Sequence, residues 1–241
     1  MVPLVLAVIA GFIPCLALFF WLRNALKKEE TYQKLCTNAL IKGMLCTLWI
    51  FLASGVPSTL LRLTGLHNSN RLLFLAIHEM IVIALAEELV KYFTARKLLK
   101  KTDYPCSWLD VTVVMTIAAI GFSIPESLLY TIGASVPIVL VRGICVPHAG
   151  YGFIEGFFYG KALKTGKGFY KVLGIFLAWL LHALYDFCLS QEVLALNDNI
   201  AFIPVTLALV DIVLVIVLIV FAVKAKKREV YTEPLSCAND A

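Results

Sequence analysis

A chain of 241 residues with 61% hydrophobic and only 15% charged residues falls well short of the roughly 25% charge of a water-soluble domain, which excludes a soluble globular fold. Its formal charge of +5 comes from 21 Lys and Arg against 16 Asp and Glu. Apolar blocks run from Met1 to Leu22, Leu40 to Leu61, Leu72 to Ala95, Asp110 to Ile132, Val136 to Gly160, Val172 to Leu189 and Ile200 to Val223. Each holds about 18 to 25 residues, enough to cross roughly 30 Å of hydrocarbon at about 1.5 Å per residue. The pattern predicts an all-α polytopic membrane protein, a bundle of about seven transmembrane helices forming one domain over residues 1–228. The polar tail, residues 229–241, lacks periodicity and is expected to be disordered.

The first block has no basic residue before it and Arg23 directly after it, the reverse of a secretory signal, so it is expected to remain in the membrane. Seventeen of the 21 basic residues fall in four segments on alternate loops, around Arg23 to Lys42, Arg96 to Lys101, Lys161 to Lys171 and Lys224 to Arg228. The positive-inside rule then places the amino terminus outside and the carboxyl terminus in the cytoplasm. The positive charge is accounted for by topology and attraction to anionic lipid, so no nucleic-acid partner is expected. Seven cysteines without a CxxC pair suggest apolar packing and neither a disulfide framework nor a thiolate zinc cage.

Within the apolar blocks stand His78, Glu79, Glu87, Glu88, Lys91, Glu126, Arg142, His148, Glu155, His182, Asp186 and Asp211. Each charged group near the bilayer centre costs about 2.5 to 3.5 kcal/mol, so these residues must face one another or water. In the third block Lys91 lies four residues from Glu87 and three from Glu88, within reach of either along a helix. The two glutamates point about 100° apart, so one is available to the bundle centre while the other pairs with Lys91. In the fourth block Pro125 removes a helical hydrogen bond just before Glu126, predicting a kink there. In the fifth, His148, Gly152, Gly156 and Gly160 recur every four residues and predict a stripe along which another helix packs closely. In the sixth, His182 and Asp186 share a helical face, a spacing at which a carboxylate fixes an imidazole tautomer.

The segments AEELVKYF (86–93), GFSIPESLLY (121–130), VRGICVPHAGYGFIEGFFYGKA (141–162) and LLHALYDF (180–187) resemble, in order and spacing, the motifs of the PrsW-type intramembrane proteases, relatives of the type II CAAX prenyl proteases. Ser127 departs from the Asn that often follows the glutamate in that family. The resemblance covers the motif core, residues 86–187, and maps site roles onto Glu87, Glu88, Glu126, His148, His182 and Asp186. It implies a multi-pass protease of the bacterial plasma membrane. The implied partner is a single-span membrane protein, such as an anti-sigma factor, cleaved at the first site of a regulated proteolysis cascade. The oligomeric state is not implied.

Peptide hydrolysis needs an activated water, stabilisation of a tetrahedral oxyanion and a proton for the leaving amine. A glutamate shielded from water is a stronger base than an exposed one. The leading expectation uses no cofactor. Glu87 or Glu88 acts as base with Lys91 tuning its pair partner, and His148 with Arg142 stabilises the oxyanion. His182 oriented by Asp186 shuttles the proton, and Glu126 holds the water or a histidine. The same residues admit a zinc reading, with Glu126, His148 and His182 as ligands and Asp186 behind His182. A proton- or ion-coupled transporter and a non-catalytic scaffold are the alternatives from other classes. Straight helices with these boundaries would place Glu87 about 22 Å below the outer surface, and Glu126, His148 and His182 roughly 8 to 14 Å down.

Overall fold

A computed structural model describes residues 4–25, 29–131, 146, 148–228 and 235. Every regular element among them is helical, and the chain is an all-α polytopic membrane protein. The principal helices are α1 (Leu4–Ala25), α2 (Glu30–Leu63), α3 (Ala86–Lys101), α4 (Trp108–Thr131), α5 (Ala149–Thr165), α6 (Phe169–Leu189) and α7 (Phe202–Arg228). Among the described residues, four helical stretches are long and apolar enough to cross a membrane: Glu30–Leu63, Trp108–Tyr130, Phe169–Leu189 and Asn199–Ala225. Of the other expected spans, the third carries several charges. The fifth is described as helix only from Ala149, since 132–145 lie outside the described residues. So do Arg142 and most of the tail.

The centre of the bundle is α4, 89% buried along its apolar window against 33% for α2 and 17% for the last span. Lipid tails are as apolar as the helices, so close backbone approach rather than hydrophobic burial drives such packing. Glycines supply that approach on two faces of α4. A Cβ on Gly43 of α2 would sit 2.0 Å from the Ala118 carbonyl oxygen, and one on Gly121 of α4 would sit 2.2 Å from the Leu40 oxygen. On a neighbouring face the expected stripe packs against α4 as well. A Cβ on Gly152 would meet Ala119 at 2.5 Å, one on Gly156 the Thr112 backbone at 2.7 Å, and one on Gly160 Trp108 at 2.7 Å.

Helix α4 runs without interruption through Pro125. The missing amide hydrogen leaves a carbonyl one turn back unpaired. One residue on, the Thr47 hydroxyl of α2 donates to the Phe122 carbonyl at 2.8 Å, a side-chain bond that ties α2 to α4 close to the proline. The third block departs from the sequence-based expectation of one regular α-helix. A short helix, Arg71–Leu75, passes into a π-helical stretch, Ala76–Leu85, which continues directly into α3. The indole of Trp179 on α6 donates to the Met80 carbonyl in this stretch at 2.7 Å. An i→i+5 turn holds more residues per turn than an α-helical one, so the chain advances less for the same number of residues. That shortening works against the depth mismatch of the straight-helix count and rotates Glu87 and Glu88 relative to everything before Ala76.

Candidate active site

The start of α3 carries Glu87, Glu88 and Lys91 into the bundle. Glu88 is fully buried and accepts twice through Oε1, from the Lys91 ammonium at 2.7 Å and from Nδ1 of His182 at 2.6 Å. Its charge is therefore spent on a cation and an imidazole. Lys91 also donates to Nδ1 of His148 at 3.0 Å. An ammonium has donors and no acceptor, so this bond fixes Nδ1 of His148 as the acceptor and places the ring proton on Nε2. That Nε2–H faces and hydrogen-bonds the Glu126 carboxylate of α4.

His182 of α6 is oriented from both ends. Opposite the Glu88 bond, its Nε2 lies 3.0 Å from Oδ2 of Asp186, one turn further on. Glu87 approaches the same nitrogen with Oε2 at 3.8 Å, beyond a direct hydrogen bond. The two imidazoles meet edge to face with ring centroids 4.6 Å apart. Around them is an aromatic wall: Tyr151 stacks on His182 at 5.3 Å and Phe122 sets its edge against His148 at 5.2 Å. Glu87, Glu88, Lys91, Glu126, His148 and His182 are all buried, and each polar contact acts in a medium that strengthens it.

His148 does not belong to the fifth helix itself. It occupies the residue just ahead of α5 with a left-handed φ of 66°, the only positive φ outside glycine among the described residues. Its carbonyl still accepts from Gly152 N–H at 2.9 Å, so the four-residue register with the glycine stripe is kept. For a residue with a Cβ such a conformation costs of order 1–3 kcal/mol and persists where surroundings hold it.

The structure thus brings Glu87, Glu88, Lys91, Glu126, His148, His182 and Asp186 into one cluster drawn from α3, α4, α6 and the turn before α5. Arg142 lies outside the described residues. Other polar residues of the apolar blocks sit apart: His78 is engaged with Glu79 and Ser58 at 2.9 and 3.1 Å. Glu155, about two turns along α5 from His148, is by contrast buried against the cluster, near enough for Glu88, Lys91 and His182 to act on its charge, while its Oε1 meets no donor among the described residues. Sequence reasoning passed over Tyr151, although it stands three residues after His148 and therefore on the same helical face.

The alternative zinc reading of the sequence names Glu126, His148 and His182 as the ligands. The trio whose ligand atoms come within 4.8 Å of one another is Glu87, His148 and His182. Glu87 stands in this trio where Glu126 was named, and Glu126 is instead the hydrogen-bond partner of His148 Nε2. Two imidazoles and a carboxylate, all buried, are the donor set of a catalytic zinc with an open fourth position. Asp186 behind His182 supplies the outer carboxylate such ligands usually have. The donor chemistry fits a metal. His148 would join it by exchanging one of its present partners, Lys91 or Glu126.

Residues 32–223 match the family described as PrsW family intramembrane metalloprotease. Among curated proteins the chain is similar to Protease PrsW of Oceanobacillus iheyensis, at 31% identity over 113 residues, covering 45% of this chain and 52% of the relative. It is similar also to Protease PrsW of Geobacillus kaustophilus, at 29% identity over 113 residues, 45% of this chain and 50% of the relative. The chain spans about half the length of these curated relatives. No solved structure matches.

Proposed function

The chain belongs to the PrsW family of intramembrane metalloproteases, and we propose that it hydrolyses a peptide bond of a membrane-anchored protein with Glu87 as the water-activating carboxylate. The observation that carries this reading is the division of labour between adjacent glutamates. Glu88 is bound by Lys91 and His182, whereas Glu87 stands 3.8 Å from the Nε2 of His182. A water lying to one side of that line can hydrogen-bond both groups at about 2.8 Å each. Glu87 takes a proton from this water as its oxygen bonds to the scissile carbonyl carbon. His182, held by Asp186 and Glu88, gives a proton to the departing amine as the C–N bond breaks. The Nε2–H of His148 is the donor for the oxyanion, with Glu126 as its resting partner and Lys91 fixing the ring behind it.

A second reading is favoured by the trio of Glu87, His148 and His182. These residues would hold a zinc ion, which when bound would acidify a water and polarise the carbonyl. His182 would keep its orientation from Asp186 in either case. The substrate class is a single-span protein of anti-sigma-factor type, met in the plasma membrane by a protein whose amino terminus faces outward.

The test is cleavage of a tagged single-span substrate by the purified protein in liposomes. Glu87→Gln should lower kcat by about 100-fold or more, the usual range for a lost general base, while the protein stays folded. Metal analysis of the same preparation separates the readings. Stoichiometric zinc, with activity lost to chelator and restored by zinc, would replace the metal-free version. Ion uptake without cleavage would overturn the peptidase proposal.

A further inference from the structure

Helix α7 is the most apolar candidate span, with a mean hydropathy of 3.1 and only 17% of its window buried. Leu209 and Val213 on either side of Asp211 are 57% and 56% exposed, yet Asp211 itself is 5% exposed. A carboxylate in such a helix requires a partner inside the protein. Its Oδ1 accepts from the backbone N–H of Gly150 at 2.7 Å, and its Oδ2 meets no donor among the described residues. Gly150 is the second residue of α5, so its N–H is one of the amides that a helix leaves without an internal partner. The residue preceding a helix normally satisfies that amide with its own side chain. Here that residue is His148, which makes no side-chain cap because its ring is committed to Lys91 and Glu126. Asp211 supplies the missing cap from another helix, at the end of α5 where the helix dipole favours an anion. The approach is close enough to demand glycine, since a Cβ on Gly150 would lie 2.4 Å from Oδ1 of Asp211.

We propose that Asp211 is a positioning residue for His148: by capping Gly150 it holds the left-handed turn that frees the imidazole to face Lys91 and Glu126. The inference rests on the proposed role of His148 in peptide hydrolysis, and it adds α7, outside the four motif segments, to the machinery. Asp211 touches no substrate and acts through the backbone of the turn.

The chain has four histidines, so imidazole 15N spectra of the full-length protein, labelled at histidine and held in nanodiscs, resolve the ring of His148 directly. Asp211→Ala should shift the His148 signals and leave those of His67 and His78 in place. In the liposome assay it should lower kcat by about five- to tenfold, with KM held within about twofold. Asp211→Asn keeps the acceptor oxygen and should restore both readouts. Gly150→Ala approaches the same contact from the other side, and the double variant Gly150→Ala/Asp211→Ala should be no worse than Asp211→Ala alone. The proposal is overturned if Asp211→Ala leaves His148 unmoved, if all four histidines shift together, or if Asp211→Asn behaves like Asp211→Ala. Should Asp211→Ala fail to accumulate, the Asp211→Asn and Gly150→Ala spectra decide the matter. If the wild-type protein cleaves nothing, the peptidase reading fails, while the spectra still judge the cap.

Discussion

Lys91 ties α3 to the turn ahead of α5 with one ammonium, donating to Glu88 on its own helix and to His148. Its side chain is 1% exposed and that of Glu88 is 0%, so neither charge has water to fall back on. Removing one partner of such a pair leaves the other buried and uncompensated, at a typical cost of about 3–5 kcal/mol. Lys91→Met should therefore lower the unfolding free energy in detergent micelles by about that amount. Adding Glu88→Gln to it should recover a large part of the loss. Equal losses in the single and double variants would mean that the pair is not the stabilising unit.

At the scale of elements, α4 and α5 are joined by backbone contact along the glycine stripe. Gly156→Ala would put a methyl 2.7 Å from the Cα of Thr112, and backbone cannot rotate away as a side chain can. Overpacking of this kind costs about 1–3 kcal/mol, read as a lower midpoint of thermal unfolding. Gly168→Ala, where a Cβ meets nothing within 4 Å, is the matched control and should be neutral. This stripe was legible in the sequence because the four-residue recurrence is a property of spacing alone. The π-helical stretch Ala76–Leu85 was not, since its hydropathy is that of any membrane helix and its i→i+5 pattern answers to neighbours such as Trp179 that lie far along the chain. The conformation of His148 was hidden for the same reason. Nothing in a His-Ala-Gly run marks the histidine as the residue before a helix, and the cap that makes it one comes from Asp211.

For the molecule as a whole, motif spacing located most of the cluster and could not show how it closes. Straight helices put Glu87 well below the histidines, whereas the folded chain sets its carboxylate 3.8 Å from His182. Spacing likewise left Glu87 and Glu88 alike, and the folded chain distinguishes them by the Lys91 and His182 bonds that converge on Glu88. Away from the cluster, Arg71 ahead of the π-helical stretch binds Glu192 beyond α6, its Nε donating at 3.0 Å. That hydrogen bond holds the Glu192 carboxyl below its ordinary range. A depressed value in the folded state means that the tie is complete above the ordinary glutamate pKa of about 4.3 and is lost as pH falls through the lower one. Hydrogen exchange of amides 190–200, corrected for its intrinsic pH dependence, should accelerate on acidification. In Glu192→Gln it should be fast already at neutral pH, with no acid step.

Exposure is graded across the cluster. The side chain of Asp186 is 26% exposed, those of Glu87 and Glu126 are 9%, and that of Glu88 is 0%. The gradient gives the assembly an open threshold at Asp186 and a sealed back wall at Glu88. A hydrolase pays for lipid-phase chemistry by having to import every water molecule it consumes. With Asp186 at the threshold, recharging His182 with a proton and admitting the next water would pass through the same doorway, coupling the two halves of each turnover.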